Sequence, residues 1–140
     1  MRVAIGSDHG GYDLKEQIIT VLKDLGHEVD DRGCYSTASV DYPDFARQVC
    51  KVVEQGSSQR GILICGTGIG MSMAANRYKS IRAALCHELF TARMSREHND
   101  ANILCMGARV IGPGLAIEMV KTWMATDFAG GRHQTRIDKI

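Results

Sequence analysis

Short runs of apolar, strand-type residues alternate along this chain with segments whose apolar residues recur at helical spacing, and that alternation constrains the fold more than any other feature. Val3-Ala4-Ile5 reads as a buried strand. Leu14, Ile18, Val21, Leu22 and Leu25 then mark one face of a helix, with Asp13 as the expected N-cap and Gly26 as the stop. A weaker strand at Glu28-Val29-Asp30 runs into a polar loop from Asp31 to Asp41. Pro43 suits the first turn of a second helix that carries Phe45, Ala46, Val49, Val52 and Val53 inward and closes at Gly56. Ile62 to Cys65 is the third strand, Ile81 to Cys86 the fourth and Ile103 to Met106 the fifth. The remaining helices are expected from Met71 to Tyr78, from Glu88 to Glu97 and from Leu115 to Met124.

Parallel strands need long crossover connections, and those crossovers are nearly always right-handed. Strands alternating with helices five times therefore predict an α/β fold: a doubly wound, Rossmann-like three-layer sandwich around a five-stranded parallel sheet. The common strand order for such a sheet is 2-1-3-4-5, with its ligand crevice where the winding reverses, between strands one and three. Asp8 and His9, ending strand one, are thereby expected to face Cys65, Gly66 and Thr67, ending strand three.

The 140 residues fit one domain, 1–140, with residues 130–140 as a basic C-terminal tail. The balance of 17 Lys and Arg against 16 Asp and Glu leaves +1, too little for the broad basic field that drives nucleic-acid binding, so no nucleic-acid partner is expected. No apolar block reaches membrane-spanning length, and Met1-Arg2 runs straight into the first strand without a secretory leader. Cys34, Cys50, Cys65, Cys86 and Cys105 are odd in number and widely spaced, which suits reduced thiols in a cytoplasm.

Gly66-Thr67-Gly68-Ile69-Gly70 stands at a strand-to-helix junction, where successive N–H groups can receive a phosphate, a carboxylate or a developing enediolate. A tight turn with packing glycines is the plainer reading. The third glycine comes one residue too early for a dinucleotide fingerprint, and no Gly-Lys-Ser/Thr ends the run as a P-loop would. Cys65 beside this turn suits a thiolate nucleophile or base, against a buried inert cysteine. A phosphatase loop would need an arginine at position 71, where Met stands.

His98-Asn99-Asp100 follow a helix end, either lining a mouth above the sheet or serving as a cap and surface. Arg132 and Arg136 share a helical face with His133 alongside, as a phosphate clamp or as a solvated charge cluster. Arg109 follows strand five on the ligand-binding edge. His87-Glu88 lacks a second histidine at position 91, where Thr stands, so no metal site is expected. His27 and His87 read as structural.

Asp8-His9-Gly10-Gly11, Cys65 through Gly70, Arg96 through Asp100, Gly107-Ala108-Arg109 and Gly130 through Arg136, in this order, resemble type B ribose-5-phosphate isomerase, in a family that includes galactose-6-phosphate isomerase subunits. The resemblance implies interconversion of ribose 5-phosphate and ribulose 5-phosphate through a cis-enediolate in the pentose phosphate pathway, without metal or organic cofactor. Allose or galactose 6-phosphate is the alternative substrate. It implies Cys65 as the base, His98 and Thr67 in ring opening, and the N–H groups of Gly66, Thr67, Gly68, Ile69 and Gly70 as the enediolate site. Asp8 and Asn99 would hold sugar hydroxyls; His9, Arg109, Arg132 and Arg136 would hold the phosphate. It also implies a homodimer, with a tetramer as the alternative, that shares its active sites between subunits and packs the C-terminal tail on the partner. A non-catalytic phosphate-binding module and a thiol-dependent hydrolase are the competing classes.

Overall fold

The computed structural model describes residues 1–140. Five parallel strands form one sheet: β1 (Arg2–Ser7), β2 (Glu28–Asp31), β3 (Arg60–Cys65), β4 (Ala83–Leu85) and β5 (Ile103–Gly107). The crossovers are α1 (Tyr12–Asp24), α2 (Tyr42–Glu54), α3 (Ile69–Ala75) and α4 (Leu89–Glu97), followed by α5 (Pro113–Ala125) and a short α6 (Arg132–Ile137) in the tail. Strand side chains alternate between two cores, as the pleat requires. Val3, Ile5, Ile62, Ile64, Leu104 and Met106 face α1, α4 and α5. Ala4, Leu63, Cys65, Ile103 and Cys105 face α2 and α3.

The strand order is β2-β1-β3-β5-β4, which corrects the expected 2-1-3-4-5. The reason is burial. Ile103 to Gly107 is buried at every position and claims the place beside β3, whereas Ala83 and Ala84 are half-buried and Leu85 is exposed, fit for an edge. The chain therefore steps outward from β3 to β4 over the α2/α3 face and returns to β5 over the α1/α5 face. This alternation of faces keeps every crossover right-handed. The reversal between β1 and β3 is unaffected, since these two strands pair directly from Val3↔Arg60 to Ser7↔Ile64.

Local boundaries follow from capping and close approach. Helix α1 begins at Tyr12 with Gly11 as its N-cap, so Asp13 lies in the first turn, where the helix dipole favours a carboxylate, and does not cap. A Cβ on Gly11 would lie 2.6 Å from the Ile64 carbonyl oxygen, so only glycine lets the turn after β1 press against the end of β3. Glu88 caps α4, accepting from Phe90 N at 2.6 Å and Thr91 N at 2.7 Å. On the outer edge of β4, the Asn76 amide donates to Ala83 O and accepts from Ala83 N, both at 2.9 Å. No helix is long and apolar enough to cross a membrane.

The last carbonyls of α5 end on a buried guanidinium. Arg60 donates to Trp123 O at 2.8 Å, Met124 O at 3.1 Å and Thr126 O at 3.3 Å, and Arg96 adds a second bond to Thr126 O. Both cations lie over the Trp123 ring. Ala129 N then bonds to Glu97 O, which brings the tail helix against the end of α4.

Candidate active site

The carboxyl ends of β1, β3 and β5 converge on the glycine turn. Asp8 closes β1 by donating its N–H to Ile64 O at 3.1 Å, and its Oδ1 accepts from Gly10 N at 2.9 Å and Gly11 N at 3.1 Å. His9 Nδ1 accepts from Val40 N at 3.2 Å, which fixes the tautomer with hydrogen on Nε2 and pins the loop from Asp31 to Asp41. Cys65 is 5% exposed, and its Sγ accepts the Gly68 N–H at 3.1 Å. Thr67 is exposed, its Oγ1 accepting from Ile69 N at 3.3 Å.

Past Gly66, where a Cβ would make only ordinary contacts, the glycines of the turn are closely packed. Gly68 has φ +77°, and a Cβ there would stand 2.6 Å from Leu85 Cδ1 and 2.8 Å from the Met106 carbonyl carbon. At Gly70 it would meet the Tyr42 ring at 2.5 Å, and at Gly107 the Thr67 backbone at 2.6 Å. Arg109 is exposed and lies across Gly66, its Cδ and Nη1 each 3.4 Å from where a Cβ would be. Asp8, His9, Cys65, Gly66 through Gly70 and Arg109 thus share one edge of the sheet.

The other candidates stand elsewhere. His98 is the C-cap of α4, and α4 runs antiparallel to the strands, so its end lies at the amino edge of the sheet. Arg82, at the start of β4, donates to Asn99 O at 3.0 Å, and Gly61, at the start of β3, donates to Asn102 O at 2.8 Å. From Gly61 to Cys65 the strand spans roughly 13 Å. His98 is thus a helix cap, the plainer of its two readings, and within one chain it and Cys65 occupy opposite edges, because the crossover that follows β4 must carry its helix end back to where β5 begins. His98, Asn99, Arg132, His133 and Arg136 instead line a cavity of about 430 Å³, together with Ile137 and Ile140. The His98 and His133 rings stack there with centroids 4.2 Å apart and planes at 13°.

Three neighbours of these edges were hidden in the sequence. Tyr42 covers Gly70, although its place at the start of α2 carries no periodic signal. His87 Nε2 accepts the Gly107 N–H at 3.0 Å and so holds the strand end that packs on Thr67; the structural reading of His87 is consistent with this. His133 carries no signal of its own in the sequence beyond its place between Arg132 and Arg136. No group of three or more His, Cys, Asp or Glu side chains is placed to hold a metal ion.

With this geometry in hand, a sequence profile of the Ribose/Galactose Isomerase family matches residues 3–140. The chain belongs to that family. Among relatives, Bacillus subtilis YwlF, provisionally named a sugar phosphate isomerase, is 57% identical over 100% of this chain and 95% of its own length. Escherichia coli ribose-5-phosphate isomerase B is 46% identical over 99% of this chain and 93% of its own. Among solved structures, Clostridium thermocellum ribose-5-phosphate isomerase B superposes with a TM-score of 0.98 at 55% identity, covering 99% of this chain and 94% of that one. The family fold is thus the Rossmann-like sandwich seen here, edge strand included.

Proposed function

We propose that the protein interconverts ribose 5-phosphate and ribulose 5-phosphate through a cis-enediolate, as an enzyme of the pentose phosphate pathway. One observation carries the reading: Cys65 Sγ is held 3.1 Å from the Gly68 N–H, inside a turn that admits no Cβ at Gly68 or Gly70. A passive phosphate cradle has no use for a thiol at that point.

In this mechanism His98 gives a proton to the furanose ring oxygen, with Thr67 assisting at the sugar's reactive end. Cys65 as thiolate takes the C2 proton of the open aldose while the C1 carbonyl accepts the electron pair. The N–H groups of Gly66, Thr67, Gly68, Ile69 and Gly70 hold the oxygens of the resulting enediolate. Returning the proton to C1, with the O2 proton passing to O1, leaves the ketose. Asp8 keeps Oδ2 for a sugar hydroxyl, since Oδ1 is taken by Gly10 and Gly11, and Asn99 serves another. His9 through Nε2–H, with Arg109, Arg132 and Arg136, neutralises the phosphate.

Because His98, Asn99, Arg132 and Arg136 stand at the amino edge, the site is completed by a second copy whose amino edge covers the Cys65 edge of the first, in a homodimer or a dimer-based tetramer. Ile69, Met73, Leu85, Leu89 and Phe90 are exposed on elements flanking the Cys65 edge and would be covered by it. Five buried free cysteines suit a reducing, cytoplasmic compartment.

The decisive experiment incubates the purified protein with ribose 5-phosphate and follows ribulose 5-phosphate; Cys65→Ala should be inactive, and unchanged turnover in that variant would remove Cys65 from its role. The family's description, Ribose/Galactose Isomerase, favours a hexose 6-phosphate as the second reading. Comparing kcat/KM on ribose 5-phosphate, allose 6-phosphate and galactose 6-phosphate separates the two.

A further inference from the structure

His133 has no part in the mechanism above, yet its ring lies flat on that of His98, and both residues are half-buried at the wall of the arginine-lined cavity. Two parallel imidazoles with centroids 4.2 Å apart hold one another's ring planes by stacking, and a charge on one disfavours a charge on the other. Their surroundings differ. His98 caps the carboxyl end of α4, donating its own N–H to Met94 O at 2.9 Å, and the free carbonyls of a helix end favour a cation. His133 belongs to the first turn of α6, between Arg132 and Arg136.

Loss of hydration, then the charges of His98, Arg132 and Arg136, push the His133 imidazole below its ordinary value, against a smaller opposing pull from Glu97. Of the other carboxylates on this side, Asp100 is paired with Arg96 and Arg82, Asp138 at the end of α6 accepts from Gln134, and the C-terminal Ile140 lines the same cavity. Arg96 and Arg60 also hold Thr126 O, so the chain leading to α6 is tied at both ends of its turn: there, and at Ala129 N on Glu97 O.

We propose that His133 is the positioning residue of His98: its ring, stacked flat on the His98 imidazole, fixes the plane of that imidazole and so aims it at the ring oxygen of the substrate. The inference rests on the ring-opening role given to His98 above. In that step the C1–O4 bond breaks with its electron pair going to O4, O4 takes the His98 proton, and the C1 hydroxyl becomes the aldehyde as its proton leaves to water. A histidine that is free to rotate delivers that proton less often.

Two variants and one spectrum test this on the full-length protein. His133→Ala removes the stacking face and should lower kcat on ribose 5-phosphate by about 10- to 100-fold, with KM held within about 2-fold. His133→Phe keeps a flat ring and should restore kcat to within about 3-fold of wild type. A rise in KM with kcat intact would make His133 a phosphate contact and overturn the proposal, as would a His133→Phe variant no better than His133→Ala. Independently of turnover, the ring NMR signals of His98 should show one fixed ring orientation that broadens or shifts in His133→Ala and returns in His133→Phe, and a His98 signal unchanged by His133→Ala would overturn this proposal alone. A wild-type protein that isomerises no sugar phosphate would overturn the catalytic reading together with it.

Discussion

Mixing two inactive variants should regenerate activity, because the candidate residues lie on opposite edges of the sheet. Cys65→Ala removes the base from one edge and should cost at least about 100-fold in kcat. The double change Arg132→Ala and Arg136→Ala removes two guanidinium contacts from the other edge. At about 1.5–3 kcal/mol for each charge-assisted bond, kcat/KM should fall by more than about 100-fold. If the two variants are unfolded together and refolded in equal amounts, half of the proposed homodimers should be mixed. In each mixed dimer the site built from the intact Cys65 edge of one chain and the intact arginine edge of the other is whole, while its second site carries both lesions. Activity should therefore return to about one quarter of wild type, far above either parent. The assay is ribulose 5-phosphate formation at subsaturating substrate, before and after reassortment. No recovery despite demonstrated mixed dimers would refute a site shared across two edges.

Gly68→Ala should lose activity and stability together: the left-handed backbone at φ +77° and overlap with Leu85 Cδ1 and the Met106 carbonyl should cost about 2–4 kcal/mol and move the N–H off Cys65 Sγ. Urea unfolding and kcat both read this out, and a variant within about 3-fold of wild-type kcat would show that the turn does not need that geometry. Arg60→Ala leaves the buried end of α5 without its donors. Even though burial and Arg96 already hold the guanidinium down to about 10, the loss should be about 2–4 kcal/mol by urea titration, and one below about 1 kcal/mol would contradict the capping role. His27 is held below its ordinary value by burial, the N-terminus and Arg60, and its Nδ1 is buried without a partner. The unfolded chain therefore binds the proton more readily, so stability should fall as pH drops below about 6.5. His27→Gln should flatten that fall in the urea midpoint, and an unchanged slope would assign it to other groups.

Much of the fold was legible because its signals are local. Continuous apolar runs such as Ile62 to Cys65 can be satisfied only by burial on both faces of a sheet, and the β1/β3 crevice follows from connection rules alone. The order of β4 and β5 was not, because it is settled by competition: Ile81 to Cys86 also reads as an apolar strand, and only comparison with the wholly buried Ile103 to Gly107 assigns the edge. The Gly11 start of α1 likewise depends on a long-range approach to Ile64.

At the site, Asp8, His9, Cys65 and Arg109 end adjacent strands or follow them directly, so sequence position was enough to gather them. The edge that His98 occupies was not legible, because a helix end reads the same at either edge; the direction of α4 decides, and that direction depends on the sheet. The stacking of His133 on His98 arises between segments joined through Arg60, Arg96 and Ala129, contacts that no residue spacing announces.

The Asn76 amide on the outer edge of β4 has a consequence for how this protein can associate. It occupies both the N–H and the C=O of Ala83, the groups with which a further strand would begin to pair. At the far end of the sheet, β2 presents Glu28 and Asp30 in ion pairs with Arg2 and Arg32. Each border is thus blunted against strand addition, one by an amide that occupies the backbone of Ala83 and the other by charge, and Asn76→Ala is where edge-to-edge pairing should first become possible.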